Sequence, residues 1–441
     1  MQSSEHPSKE VSPNNNLFRR IIFGWRFENC RQYARRGLPD AQLQLAFFYL
    51  RGEGTRKDPK VGEHWLLKAA AQGSSAAQTC LGILYTGSEG LLPKDEEESL
   101  KWFRLAAEQG DEFAQISLAT ALIRGSGTER NFSEAVLWLR RSADQGNVDA
   151  QYFLGQAYKD ENNLDRNLTL SFEWFKKAAE QNHPGAQYEL GNCYETGIGI
   201  EANAIEALRW TKLSAEQGYD EAQAKLGFYY LCGYGIPIDY KEAFSWFLKS
   251  ANQGLPIGEY FLGECYFRGI GTMIDIVKGL EWIRHAASRN FPAAQFELGR
   301  IYLYGEGVPQ DKSEGIHYLL EAAKNGYPAA QDILGCCCYF GDGIEKDDHQ
   351  AFYWFQEAAS RGNVNSFYNL GDCYRKGIGT KKNPTEAILW YKRAVEQGHP
   401  GAMFELGRCY QNGVGVEQDL TEAAKWFKRA EELGVTELED N

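Results

Sequence analysis

The stretch AQYELGNCYETGIGIEANAIEALRWTKLSAEQGY, residues 186–219, contains one complete unit of a pattern that fills most of the chain. Small and apolar residues recur once per helical turn before Gly197 and again around Trp210, and this spacing predicts two packed helices. Between them, Gly197-Ile198-Gly199-Ile200 carries glycines that permit positive φ. Gly218 follows the second helix, where a left-handed cap is usual. The unit is therefore predicted to be a helical hairpin.

The hairpin pattern recurs every 36 residues, eleven times, with a single step of 37. The aromatic residue of the second helix falls at Trp65, Trp102, Trp138, Trp174, Trp210, Trp246, Trp282, Tyr318, Trp354, Trp390 and Trp426. An Ala-Gln pair recurs in the first helix at 41–42, 77–78, 114–115, 150–151, 186–187, 222–223, 294–295 and 330–331. Two units replace the closing glycine with Asn182 and Asn290, and asparagine tolerates positive φ best after glycine. The period predicts an all-α solenoid of about eleven 36-residue hairpins, each burying its apolar face against its neighbours.

Composition limits the function classes. The chain has 441 residues, a formal net charge of -13 and no linker that interrupts the repeat, which predicts one continuous repeat domain. The acidic balance argues against a nucleic-acid partner, because phosphate recognition needs a clustered basic surface. No stretch approaches the ~20 apolar residues of a membrane span, and the polar N-terminus lacks the features of a secretory signal. We expect a disordered lead (1–16), a basic capping helix (17–39), eleven repeats (40–435) and an acidic tail (436–441).

The ten cysteines are expected to be free thiols. Five of them occupy one position of the repeat: Cys193, Cys265, Cys337, Cys373 and Cys409. Equivalent positions of stacked hairpins lie at least ~8–10 Å apart, whereas a disulfide needs Cα atoms within about 7 Å. Unpaired cysteines and the absence of a signal peptide predict a cytoplasmic, reducing location.

The segment 17–36 contains six arginines and one acidic residue, together with several large apolar residues. One interpretation is a basic amphipathic helix that contacts an anionic membrane or a partner. The favoured interpretation is a helix that covers the exposed apolar end of the first repeat, as solenoids require.

No catalytic, cofactor-binding or metal-binding residue is predicted. The Gly-x-Gly loops join two helices, whereas phosphate-binding loops follow a strand. The three residues Cys336-Cys337-Cys338 point about 100° apart on a helix and cannot readily bind one ion. The histidines are scattered, without a neighbouring nucleophile in the sequence.

Three strings carry a family resemblance: AQYELGNCY at 186–194, GIGI at 197–200 and WFKKAAEQ at 174–181. Over residues 40 to about 434 the chain resembles the Sel-one-like repeat proteins, relatives of the tetratricopeptide repeats. The resemblance implies a right-handed α/α superhelix whose first helices line the concave side, and a scaffold or adaptor role. Two units depart from the family pattern, with Gly87-Ser88-Glu89-Gly90 and Asp160-Glu161-Asn162-Asn163 in place of the usual loop. We expect these loops to distort the repeat locally and to kink it or create a contact site.

A candidate partner site follows from residues near the ends of the first helices, where the family is usually polar. Four consecutive units carry apolar residues at one such position, and three of them have a large residue at the next. These are Leu231, Phe267, Leu303 and Tyr339, followed by Arg268, Tyr304 and Phe340. Phe228 and Cys336 lie one turn earlier on the same face, and Arg268 and Arg300 are expected to add charge selectivity. Apolar residues on a surface that should be wet favour a partner site.

We therefore predict a non-catalytic adaptor that holds a peptide or protein in a concave groove across residues 226–340. The alternative for these residues is that they pack on the loops. Other functions left open are neutralisation of a cognate toxin or effector, a membrane-peripheral scaffold acting through 17–36, and small-ligand binding or hydrolysis.

Overall fold

The computed structural model describes residues 26–161, 163 and 166–435. Within these ranges the chain forms helices and no strands, and residues 26–35 are helical ahead of twenty-two complete helices. The complete helices are α1 (Pro39–Arg51), α2 (Pro59–Ala71), α3 (Ser75–Tyr85), α4 (Glu96–Glu108), α5 (Glu112–Arg124), α6 (Phe132–Asp144), α7 (Val148–Lys159), α8 (Leu168–Glu180), α9 (Pro184–Thr196), α10 (Ala204–Glu216), α11 (Asp220–Cys232), α12 (Tyr240–Asn252), α13 (Pro256–Arg268), α14 (Ile276–Ser288), α15 (Pro292–Tyr304), α16 (Lys312–Lys324), α17 (Pro328–Phe340), α18 (Asp348–Ser360), α19 (Val364–Lys376), α20 (Pro384–Glu396), α21 (Pro400–Asn412) and α22 (Leu420–Glu432).

The chain divides into two compact units, unit 1 (Met1–Gln217) and unit 2 (Gly218–Asn441). In each unit, every odd-numbered helix packs on the even-numbered helix that follows it, and each hairpin packs on the next. This is the α/α solenoid fold that the 36-residue period predicts.

Glycine in the middle of the first helix sets how closely the two helices of a hairpin pack. A Cβ at Gly155 would lie 2.6 Å from the Phe175 ring, and one at Gly263 would lie 2.9 Å from the Gly279 carbonyl oxygen. A side chain at these positions would push the second helix away. The closing turns also follow the sequence, since Asn182 and Asn290 adopt φ of 66° and 60° where other repeats have glycine.

The Ala-Gln pair has a structural role that the sequence did not reveal. In unit 1, Gln151 Nε2 donates to the Ala143 carbonyl, and Gln151 Oε1 accepts from Gln181 Nε2 at 2.7 Å. Gln181 ends the second helix of the same repeat, so each such pair ties two helices together at their shared end. We call these contacts the glutamine ladder. Its other pairs are Gln42–Gln72, Gln78–Gln109, Gln115–Gln145 and Gln187–Gln217 in unit 1, and Gln223–Gln253 and Gln295–Asn325 in unit 2.

All ten cysteines are free thiols, and the five that share a repeat position are buried. Burial raises the pKa of this set, to about 11 for Cys193 and Cys409 and about 12 for Cys265, Cys337 and Cys373. These thiols are therefore protonated packing residues at neutral pH.

The helical residues 26–35 pack on the first repeat. Phe27, Cys30 and Ala34 are buried in one cluster with Leu45, and Gln42 Nε2 donates to the Ala34 carbonyl at 3.2 Å. The capping role remains our proposal for this segment. The rest of the predicted cap (17–25), the predicted lead (1–16) and the predicted tail (436–441) lie outside the described residues. None of the described helices combines the length and apolar character needed to cross a membrane.

Candidate protein-binding surfaces

The residues that the sequence singles out lie on the last turns of α11, α13, α15 and α17 in unit 2. Three aromatic side chains among them are well exposed: Phe228 (43%), Tyr304 (53%) and Phe340 (67%). The Phe228 ring leans on Phe261, with 6.1 Å between ring centroids, and the Phe340 ring contacts Tyr339 at 4.8 Å. These three aromatics keep a large apolar surface available to a partner.

The apolar position one residue earlier behaves differently. Leu303 is only 1% exposed, because Gly315 brings α16 so close that a Cβ at Gly315 would lie 2.7 Å from the Leu303 nitrogen. The prediction that Leu303 contacts a partner is therefore wrong. Leu231, Phe267 and Tyr339 are half-buried and pack against neighbouring core clusters. At this position the side chains pack within the protein, which favours the alternative of packing on the loops over contact with a partner.

The two arginines predicted to add charge selectivity are already neutralised. Arg268 Nη2 lies 2.7 Å from Glu297 Oε1, and Arg268 Nε contacts Glu264. Arg300 pairs with the same Glu297 at 3.4 Å and with Glu306 at 2.8 Å. The pKa of Glu264 is raised, mainly by burial and further by the nearby Glu297, and Arg268 opposes that shift. Both arginines are therefore paired within the protein, and the prediction that they add charge selectivity stays a prediction.

Cys336 is half-buried, and the Asn369 amide lies 3.9 Å from its sulfur. Burial raises the pKa of the Cys336 thiol to about 12, so the group is not a nucleophilic thiolate at neutral pH. Among the residues that the structure describes, no group of three or more histidine, cysteine, aspartate or glutamate side chains is placed to hold a metal ion.

A further set of exposed apolar residues lies at the loop edge of the same repeats and was missed from the sequence. Its members are between 51% and 87% exposed. They are Ile238, Tyr240, Met273, Ile274 and Val277, which we call the loop patch.

The position held by Ile238 and Ile274 shows why the loop patch is unusual. In nine repeats it is filled by Ala202 or by a long polar residue: Lys57, Lys94, Arg130, Arg166, Gln310, Lys346, Lys382 and Gln418. The carbon stems of such side chains cover the loop glycine, as Gln310 Cβ would lie 3.1 Å from a Cβ at Gly305. In the same way, a Cβ at Gly233 would lie 3.0 Å from Ile238 Cγ1. A lysine stem would serve the fold equally well, so the isoleucines are not required for packing. Aligning the loops in register would have revealed this difference.

A second surface, in unit 1, was also missed. Three open cavities of about 450, 420 and 740 Å³ follow the first-helix side of the repeats. Ile83 lines the first two, and Thr120 and Arg124 line the second and third, so the three form one continuous depression. We call it the unit 1 groove.

The unit 1 groove lies beside the two irregular repeats. Helix α3 has 11 residues and α7 has 12, whereas the other first helices have 13. Neither ends on a left-handed glycine: Thr86 stays in the right-handed helical region and Asp160 is extended. The sequence indicated the irregular loops at 87–90 and 160–163 as a contact site, but not the cavities between them.

The Sel1 repeat family model matches the chain eleven times. The matched residues are 39–74, 75–111, 113–147, 148–183, 184–219, 220–255, 256–291, 292–327, 328–363, 368–399 and 400–435. These matches follow the hairpins of the structure, one for each pair of helices.

Two solved structures share the fold. The protective antigen c5321 of uropathogenic Escherichia coli, described as displaying an SLR fold, is 34% identical, with 92% of this chain and 86% of that chain covered and a TM-score of 0.65. A Sel1 repeat protein from Oxalobacter formigenes is 28% identical, with 74% and 93% covered and a TM-score of 0.54.

The chain aligns with only a small part of its curated relatives. The uncharacterized protein NMB1327 of Neisseria meningitidis is 37% identical over 101 residues, 23% of this chain and 20% of that protein. Chitin synthase regulatory factor 3 of Schizosaccharomyces pombe is 36% identical over 104 residues, 23% of this chain and 11% of that protein. With eleven matched repeats and a solved relative aligned over most of its length, the chain belongs to the Sel1 repeat family.

Proposed function

We propose that this protein is a non-catalytic scaffold that binds another protein through the loop edge of unit 2. Sel1 repeat proteins generally act as interaction scaffolds rather than catalysts, which supports this class of function. The family does not specify the partner or the binding surface, so both are argued from the exposed residues.

The observation that carries the proposal is the pair Ile238 and Ile274. Both hold a position where most repeats have lysine, arginine or glutamine, and both keep the glycine contact that the position needs. Together with Met273 and Val277 they expose apolar side chains to water. This exposure is unfavourable, and the fold does not need apolar residues at these positions. Large exposed apolar patches on proteins are typical of interaction sites.

The exposed aromatics extend this surface. Tyr304 is the last residue of α15 and Phe340 is the last residue of α17. Both therefore lie next to the loops that join the two helices of a hairpin, at the same edge of the repeats as the loop patch. Aromatic residues are enriched among the side chains that dominate binding energy. The charges beside them are paired within the protein, as at Arg268 and Glu297. We therefore propose an apolar or aromatic partner that contacts the loop patch together with Tyr304 and Phe340 of the predicted groove across 226–340.

The test compares two variants that change charge at the same register. Ile238→Lys with Ile274→Lys restores the residue type of other repeats and should leave melting unchanged. Ala202→Lys with Gln418→Lys adds the same two charges at this register outside residues 226–340 and is the control. Proteins captured from the source lysate on the immobilised chain are quantified for each form. We expect a protein retained by the wild type and the control to fall at least about tenfold with the lysine variant. Equal capture by all three forms contradicts the proposal.

The compartment belongs to the same proposal. Buried, protonated cysteines are suited to a reducing environment, where thiols persist. We propose such a location, in keeping with the ten free cysteines.

A further inference from the structure

Two of the three cavities of the unit 1 groove, those of about 420 and 740 Å³, are lined by apolar residues and share one arginine. We call them the first and the second cavity. Ile83, Leu100, Phe103 and Ile116 line the first of these cavities, and Ile123, Phe132 and Leu139 line the second. Phe113 (55% exposed) borders the first and Phe153 (38% exposed) borders the second. Arg124 lies on the wall that both share.

Arg124 differs from the other cations of these two cavities. Lys94 pairs with Glu96 at 2.6 Å, Lys159 pairs with Glu189 at 2.8 Å, and Arg166 pairs with Glu161 at 3.8 Å. The Arg124 side chain is exposed, and no other described residue forms an ion pair with it. Among the described residues that line these two cavities, Arg124 is therefore the one cation without an ion-pair partner.

Comparison with unit 2 shows what Arg124 lacks. Arg124 ends α5 at the register where Arg268 ends α13, four repeats later. Arg268 is held by Glu264 and Glu297. The residues at those two registers in unit 1 are Thr120 and Phe153, both of which line the unit 1 groove. The carboxylates that neutralise the unit 2 arginine are thus replaced by a hydroxyl and an exposed aromatic ring.

We propose that the unit 1 groove binds an extended peptide segment of another protein, with an aspartate or glutamate of that segment on Arg124 and an apolar side chain in each flanking cavity. A carboxylate would restore the charge-assisted contact that Glu264 and Glu297 provide in unit 2. Packed helices lie about 10 Å apart, and an extended chain rises about 3.3 Å per residue. The two apolar side chains are therefore three to four residues apart, with the acidic residue between them.

This site goes beyond the proposed function, which concerns unit 2, and purified components test it separately. Random dodecapeptides displayed on phage are selected on the immobilised full chain, and the enriched sequences are made as fluorescent peptides for anisotropy titration. We expect enrichment of an acidic residue between two apolar residues. Arg124→Glu should weaken binding at least about tenfold, because it replaces a charge-assisted contact with repulsion. Changing the peptide's acidic residue to lysine should recover part of that loss in the Arg124→Glu variant.

Two further variants distinguish a loss of binding at Arg124 from a loss of folding. Thr120→Glu places a carboxylate four residues before Arg124, as Glu264 precedes Arg268, and should weaken peptide binding without removing the arginine. Arg140→Glu makes the same charge reversal on an exposed residue of α6 outside the cavity linings and should leave binding unchanged. Peptides enriched without an acidic residue would overturn the assignment, as would peptides that the Arg124→Glu or Thr120→Glu variant binds as tightly as the wild type does. So would a selection that enriches no peptide.

Discussion

A single pair of residues shows how the glutamine ladder tolerates change. In the repeat of α13 and α14, Glu259 stands at the Ala-Gln register and is fully buried, and Arg289 replaces the glutamine that ends the second helix. Arg289 Nη1 donates to Glu259 Oε1 at 3.2 Å. A buried carboxylate needs such a partner, because an unpaired charge in the interior is costly. The two substitutions therefore compensate each other.

This compensation predicts that the effects of the two single substitutions on the free energy of unfolding do not add in the double variant. Arg289→Gln alone should lower the free energy of unfolding by about 1–2 kcal/mol, less than for a fully buried pair because Arg289 is partly exposed. Adding Glu259→Gln should recover most of that loss by restoring a Gln–Gln pair. Urea unfolding of the wild type, both single variants and the double variant measures the coupling. A double variant as unstable as Arg289→Gln would contradict it.

At the scale of the element, two first helices begin with a histidine cap. The Ala186 amide donates to His183 Nδ1 at the start of α9, and the Ala402 amide donates to His399 Nδ1 at the start of α21, each at 3.0 Å. The rings stack on Tyr152 and Tyr368. Burial lowers the pKa of both histidines, and Asp149 opposes the shift at His183. The cap requires an unprotonated Nδ1.

These caps predict a stability that falls in mild acid. An unfolded histidine takes up a proton near pH 6.5, whereas the folded rings do so only at lower pH. Their contribution is therefore complete above about pH 6.5 and is lost as the pH falls through the folded pKa values. His183→Asn with His399→Asn should reduce this dependence, because Asn147 and Asn363 cap the same register without titrating. Urea midpoints at pH 7.5 and 5.0 measure it. The same pH slope in both proteins would count against the caps.

The sequence predicted the elements well because their signals are local. The turn at Asn182 and the loop glycines each follow from one residue and its neighbours in the chain. The site was less predictable, because exposure depends on residues of other helices. The sequence places Leu303 on the surface, but Gly315 lets α16 pack against it. The sequence also gives no sign that Arg268 is paired, because its partner Glu297 belongs to the next repeat.

At the scale of the molecule, each hairpin contacts its neighbours in the unit, so damage should stay local. Gly263→Ala places a methyl group 2.9 Å from the Gly279 carbonyl oxygen, a backbone atom that cannot turn away. Overpacking of this kind costs about 1–3 kcal/mol. Hydrogen exchange should therefore accelerate in residues 220–327 and much less in 364–432.

The matched control for that experiment is Gly401→Ala. A Cβ there would meet only side-chain atoms, at 3.2 Å or more, and alanine favours the helix. Exchange in this variant should match the wild type throughout unit 2. A uniform acceleration across both ranges in Gly263→Ala would instead indicate that unit 2 opens as one cooperative body.

The glutamine ladder has a consequence for how such a chain can change its length. Every ladder pair joins two residues of one repeat, and they are 30 positions apart except for Gln78 and Gln109, which are 31 apart. An equivalent donor and acceptor recur in the following period. Duplicating or deleting one whole period inside unit 1 would leave each remaining donor with its acceptor. The gene can therefore gain or lose hairpins by in-frame recombination between its own copies, and natural variants that differ by whole periods should fold.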